Sequence, residues 1–260
     1  AAVAIEEIAK HVPAECFYIR FGRFNNYLWF DNFQEEYGGD LSSMVTLRAF
    51  QVPMAERGEK QLGLEKNALA DLFGEAAIVD VALIGRDTFL EEGAAIGILF
   101  QARNELLDND LRQQQKRAQA AFAERGAKLE KVKIAGHDVE FLSTPDNRLR
   151  SFHAADGPFH LVTTSRAIVE RFYQAGAGER SLADSAEFLS ARAKFPGERK
   201  DTVFAFFSPQ FFEGLLTPQY QVELHRRMYS IIDMELFQMA QLAARNERLP
   251  EDVDSLIAAG

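Results

Sequence analysis

The sequence predicts an α+β fold: a mainly antiparallel sheet built from hairpins, helices packed on it, and a long C-terminal helix. Three observations carry this. Two hairpin patterns follow one another between residues 130 and 164, so strands pair with their sequence neighbours. Two strand-length runs, "AAIVDVALIG" and "AAIGILFQA", are apolar on both faces, as central strands covered on both sides are. Elsewhere apolar residues recur at helical spacing, most extensively in "QYQVELHRRMYSIIDMELFQMAQLAARNE".

The elements follow in order. "AAVAIEEIAKHVPAE" reads as a helix ending before Pro13, because the residue preceding proline avoids the helical region. "CFYIRFG" is a buried aromatic strand bounded by Gly22, and "RFNNYLWFDNFQEEYGG" is a helix stopped at Gly38-Gly39. "MVTLRAFQV" suits a short strand, and "PMAERGEKQLG" and "LEKNALADLFG" suit two short helices. The two apolar strands come next, joined by "RDTFLEEG". "NELLDNDLRQQQKRAQAAFAERG" is a helix with Leu107, Leu111, Ala118 and Phe122 on one stripe.

"EKVKIAGHDVEFLS" reads as a hairpin with a type II′ turn at Gly136-His137, which sets Ile134 opposite Val139 and Lys133 opposite Glu140. "LRSFHA" and "PFHLVTT" form a second hairpin around "ADGP", with Ala154 opposite Phe159 and His153 opposite His160. Ser165 caps the helix that follows, and Ser181 with Asp184 resembles a capping box for the next. "DTVFAFFS" is expected as another buried strand. In the long helix, Val222, Met228, Ile231, Ile232, Leu236, Met239 and Leu242 form a stripe whose Met residues suit a gap-filling core.

One α+β domain is therefore expected over residues 1–246. "FYIRFGRFNNYL" and "VFAFFSPQFFEGLL" share an order of aromatic strand, small residue and aromatic helix, a weak internal repeat restarting near Asp201. Residues 247–260 read as the start of a further segment after Pro250, so the chain is expected to be a fragment.

Composition excludes several functional classes. The net charge of -10 opposes nucleic acid, whose binders present a basic face, and opposes an anionic membrane surface. Phe numbers 22 against 6 Tyr and 1 Trp, which favours burial over a recognition surface. The single cysteine, Cys16, sits in an apolar run and reads as a buried hydrophobe. No run of ~18 apolar residues exists, so direct membrane insertion by this chain is not expected. No nucleotide-binding glycine loop, nucleophile elbow, HExxH or EF-hand loop is present, and no cofactor is expected.

The chemistry that can be named is small. His153 and His160, on one face of the second hairpin, are close enough to share an ion as directly opposed residues, whose Cβ atoms lie about 4.5–5.5 Å apart. Zinc or copper needs a third protein ligand, and no fixed spacing supplies one; Asp156, His137 and Asp138 are the nearest in sequence. The bland reading is a half-solvated pair sharing its face with Leu149, Ser151 and Val162. Asp80, inside an apolar strand, is either an acid or base with a raised pKa or the buried partner of Arg20, and pairing is favoured. The aromatic stretches "FNNYLWFDNF" and "SPQFFEGLL" suit either core or an apolar groove.

Several stretches resemble a known family: "VPAECFYIRFG", "LGLEKNALADLFG", "VALIGRDTFLEEGAAIGILF", "HLVTTSRAIVERF" and "SLADSAEFL". They are similar to blocks in uncharacterised large bacterial envelope proteins that carry domains of unknown function, and the likeness covers most of residues 12 to 210. The resemblance supplies no active-site residues. It implies an extracytoplasmic or periplasmic scaffold whose partners are other segments of the same polypeptide or another protein. The expected function is thus a non-enzymatic structural or protein-interaction domain. The rivals are a metal-dependent or acid–base enzyme using His153, His160 and Asp80, and a carrier for an apolar ligand.

Overall fold

The computed structural model describes residues 3–33, 61–64, 74–87, 95–197, 201, 203–247 and 252–259. The described residues up to Gly214 form one compact unit and those from Leu215 onward a second.

The first unit is an eight-stranded antiparallel sheet with helices, the predicted α+β class. Its strands are β1 (Phe17–Arg20), β2 (Ile78–Gly85), β3 (Ile96–Ala102), β4 (Lys128–Ile134), β5 (His137–Ser143), β6 (Arg150–Asp156), β7 (Phe159–Thr163) and β8 (Phe204–Phe207). They lie in the order β4-β5-β6-β7-β3-β2-β1-β8. The two continuous apolar runs, β2 and β3, are central, as their two-sided apolarity requires. β8 stands at an edge and is only half-buried, which corrects the expectation of a buried strand.

Each face of the sheet carries its own core. On one face, α4 (Arg166–Gly176), α5 (Ala186–Lys194) and a 3-10 turn (Glu7–His11) cover Tyr18, Ile84, Leu99 and Leu161. Ser165 accepts from the Ile168 amide at the start of α4, as predicted. α5 is capped by Ser185, whose side chain accepts from the Phe188 amide. Ser181 instead donates to Asp184 in a preceding 3-10 turn. On the other face, α1 (Phe24–Phe33) and α3 (Leu106–Ala121) cover Val81, Ile98, Phe100 and Val162. Tyr27 and Phe30 of α1 pack on Phe21 and Phe24 packs on Tyr27, so these three aromatics belong to the core, while Trp29 and Phe33 are exposed. The short α2 (Gly74–Ala77) leads into β2, and α6 (Pro209–Leu215) follows β8.

Both hairpins turn one residue away from the predicted place. The first turns at Ala135-Gly136, both at positive φ (50° and 84°). Val132 therefore pairs with Val139 and Lys133 with Asp138. Two successive positive φ angles make this a primed turn, and Ala135 occupies a position that favours Asn or Gly. The second turns at Gly157-Pro158, so Asp156 pairs with Phe159. The amide closing this turn belongs to Phe159, and the amide Pro158 lacks is not needed. In each case the pairing shifts by two, which leaves every side chain on its predicted face.

The second unit holds α7 (Pro218–Glu247) and α8 (Val253–Ala259), the long helix and fresh start that the sequence predicts. The apolar row of α7 is exposed at Val222, Met228, Ile232, Leu236, Met239 and Leu242, which corrects the expectation of a core stripe. The expectations for "MVTLRAFQV", the Gly38-Gly39 stop, most of the two short helices and most of "RDTFLEEG" lie outside the described residues.

Candidate metal centre

Three adjacent strands and one helix converge on a polar cluster beneath α3. Glu140 on β5 stands directly opposite His153 on β6. His153 pairs with Val162 and His160 with Ala155, so the histidines are diagonal neighbours, a correction to the direct opposition read from the sequence. The two-residue shift keeps them on one face, and a diagonal pair lies within reach of long side chains. His153 Nε2 and His160 Nδ1 are 3.4 Å apart.

The face is buried. His153 is 3% and His160 5% exposed, where the sequence suggested a half-solvated surface. The cover comes from α3, whose Asp108, Arg112 and Gln115 recur at helical spacing towards the sheet. Gln115 donates to Ser151. Asp108 Oδ1 lies 3.8 Å from His153 Nε2 and 3.6 Å from His160 Nδ1. Arg112 donates from Nε to Asp108 Oδ2 at 2.8 Å and from Nη1 to Glu140 Oε1, tying the two carboxylates together. Glu140 Oε2 faces His153 Nδ1 at 3.7 Å.

Asp108, His153 and His160 therefore offer three ligand atoms around one point. A tetrahedral ion with nitrogen and oxygen ligands at about 2.0–2.1 Å places those atoms about 3.3–3.4 Å apart. The observed separations need to close by only a few tenths of an ångström. Asp108 Oδ1 is buried and has no hydrogen-bond partner among the described residues, and a buried orphan acceptor of this kind is a natural ligand atom. Two histidines and one carboxylate form the set used by catalytic zinc and by non-haem iron(II). Glu140 Oε2, 3.7 Å from His153 Nδ1, stands where the outer carboxylate of a carboxylate–histidine–metal relay would lie.

The electrostatics suit a cation. Burial, and then the neighbouring His153, lower the His160 pKa to about 4, so its ring is neutral and able to ligate near pH 7. Burial raises the Asp108 carboxyl, but the Arg112 hydrogen bond and charge outweigh it and leave the pKa below its ordinary value. The Glu140 carboxyl is lowered by His153 against burial, with help from Arg112. Both carboxylates are thus ionised.

The cluster opens on a cleft of about 500 Å³ lined by Arg103, Asn109, Arg112, Pro158 and His160 among others. His160 and Asp108 both line it, so an ion held by the three ligands would face the cleft.

The other residues considered from the sequence are placed elsewhere. Asp80 accepts from Arg20 Nε at 2.8 Å and from the Val81 amide, within the polar network of Glu6, Tyr18 and Arg192 on the opposite face. It does not join the histidines. Asp156 contacts His11 at 3.1 Å, and His137 stacks on Tyr173 at 3.9 Å, so neither supplies a ligand. Cys16 is buried, and burial pushes its thiol up and away from nucleophilic use. The residues missed by sequence reasoning are Asp108, Arg112 and Glu140. For the two on α3 the signal lies in polar side chains that recur, with Gln115, at i, i+4 and i+7 beside the apolar stripe of the helix.

No family model matches the chain, and neither the curated proteins nor the solved structures contain a match.

Proposed function

We propose that the sheet unit is a metal-dependent enzyme of hydrolytic type, binding one divalent transition-metal ion through Asp108, His153 and His160. The observation that carries this reading is the convergence of three ligand atoms, one of them a buried and unpartnered carboxylate oxygen, at the wall of an open cleft. An ion with an open position supplies a Lewis acid and an activated water at neutral pH. The chain's own part is to orient the ligands. Glu140 faces the His153 ring at 3.7 Å, and Arg112 ties Asp108 and Glu140 together.

A thermal-shift series with zinc, cobalt, nickel and copper, run beside a chelator, tests the reading. At a free metal concentration about a hundred times the dissociation constant, a native-state site adds about 2.7 kcal/mol. His153→Ala and Asp108→Ala should each abolish the shift. A wild-type series as flat as the variants would remove the proposal.

A second reading concerns the other unit. The exposed apolar row of α7 supports the structural or protein-interaction role expected from the sequence. No helix among the described residues is long and apolar enough to cross a membrane. A metal centre in one unit and an interaction helix in the other are compatible.

A further inference from the structure

We infer that the cleft beside the three ligands takes a small anionic molecule, a carboxylate or a phosphate, whose charged oxygen bridges the bound metal and Arg112. The inference rests on the metal-binding reading and names the substrate class for that site.

The first support is charge. Asp108, Glu140 and Arg112 together carry one negative charge, and histidines ligate as neutral imidazoles. A divalent ion would make the centre one positive, between two buried histidines and the wall of the cleft. An anion entering from the cleft neutralises it, and a neutral molecule does not.

The second support is the geometry of Arg112. Its Nε is used by Asp108 and its Nη1 by Glu140, whereas Nη2 makes no hydrogen bond among the described residues. The guanidinium lines the cleft, so a planar fork already fixed on one side presents its remaining donors to an incoming oxyanion.

The third support is the start of α3. Arg103, Glu105, Asp108, Asn109 and Arg112 fall just before the helix or within its first two turns, and all line the cleft. The positive end of the helix dipole lies there, although the first amide, that of Leu106, already donates to Asn104 Oδ1. Arg103 and Asn109 are exposed, and their side chains carry no hydrogen bond among the described residues. Glu105, also in the lining, is exposed and opposes an anion only weakly across solvent.

The test uses the full chain loaded with cobalt(II), whose visible absorption reports its ligands. Inorganic phosphate and acetate are titrated separately at constant ionic strength, with chloride as the control. The expected result is a saturable spectral change with phosphate, acetate or both, and the stronger of the two identifies the class. Arg112→Gln should weaken that binding about tenfold, the loss of one charge-assisted hydrogen bond. Arg103→Ala, at an exposed position outside the ligand set, should weaken it by a smaller factor and leaves the cobalt spectrum as a check on the fold. A normal cobalt spectrum that neither anion perturbs would overturn the inference and leave the metal reading standing. Absence of any protein-bound cobalt spectrum would overturn both. Equal phosphate binding with and without cobalt would also overturn the inference, since the ion would then have no part in it.

Discussion

Glu140 and His153 are directly paired across β5 and β6, and Nδ1 of the His153 ring faces the Glu140 carboxylate at 3.7 Å. With Nδ1 on the Glu140 side, Nε2 of the same ring is the nitrogen that faces His160 and Asp108. A ligand histidine whose second nitrogen meets a carboxylate is held in one tautomer and one ring orientation.

Glu140→Gln is therefore expected to lower zinc affinity about 10–100-fold without abolishing binding. His153→Ala and Asp108→Ala remove a ligand and should abolish it. Competition against a chromophoric chelator measures both. Equal affinities for wild type and Glu140→Gln would show that the carboxylate has no orienting role.

Much of this site was legible because of parity. His153 and His160 share a face whichever two-residue slip the hairpin takes, so the position of the turn does not decide whether the histidines meet. What could not be read was the third ligand. Asp108 comes from a helix far along the chain, and the packing of α3 across β5, β6 and β7 is a tertiary fact with no local spacing to betray it. The turn of the first hairpin was not legible because Ala135 takes a positive φ that its residue type disfavours. The central position of β2 and β3 was legible from their apolar faces. The edge position of β8 was not, because an aromatic run has the same composition at an edge or a centre.

Arg20 and Asp80 pair in the buried network on the opposite face, with the Asp80 side chain 4% exposed. Removing one partner strands the other without a counter-ion. Arg20→Met is expected to cost about 3–5 kcal/mol at pH 7.5, read by urea denaturation. The double variant Arg20→Met with Asp80→Leu should recover most of that loss, because the pair is replaced by packing. A cost below about 1 kcal/mol for Arg20→Met would show that water reaches Asp80.

The same carboxyl gives a pH dependence of stability. Burial pushes Asp80 up to about 6 from 3.8, and the opposing pull of Arg20 does not offset it. Between those values the folded protein keeps a proton that the unfolded chain has released. Stability from this group therefore falls as pH rises from 3.8 to about 6 and is level on either side. The total is at most about 3 kcal/mol, at about 1.4 kcal/mol per pH unit across that window. Asp80→Asn should lose this slope. Denaturation of both proteins between pH 4 and 7 compares them, and parallel curves would refute the raised pKa.

Ala135 is the place where a conservative change should improve the fold. Its φ is 50°, and it precedes Gly136 at 84° in the two-residue turn between β4 and β5. A Cβ crowds the carbonyl in this region, at a cost of roughly 1–2 kcal/mol for an ordinary residue. Asn tolerates the conformation better, and Asn-Gly is the favoured pair for such a turn. Ala135→Asn is therefore expected to stabilise the protein by about 0.5–1 kcal/mol, seen as a higher urea midpoint with an unchanged slope. The turn lies far along the strands from the metal ligands, so zinc affinity should not change. A lower midpoint would mean that the turn sits at Gly136-His137 after all, with Ala135 in an extended strand where Asn is the poorer residue.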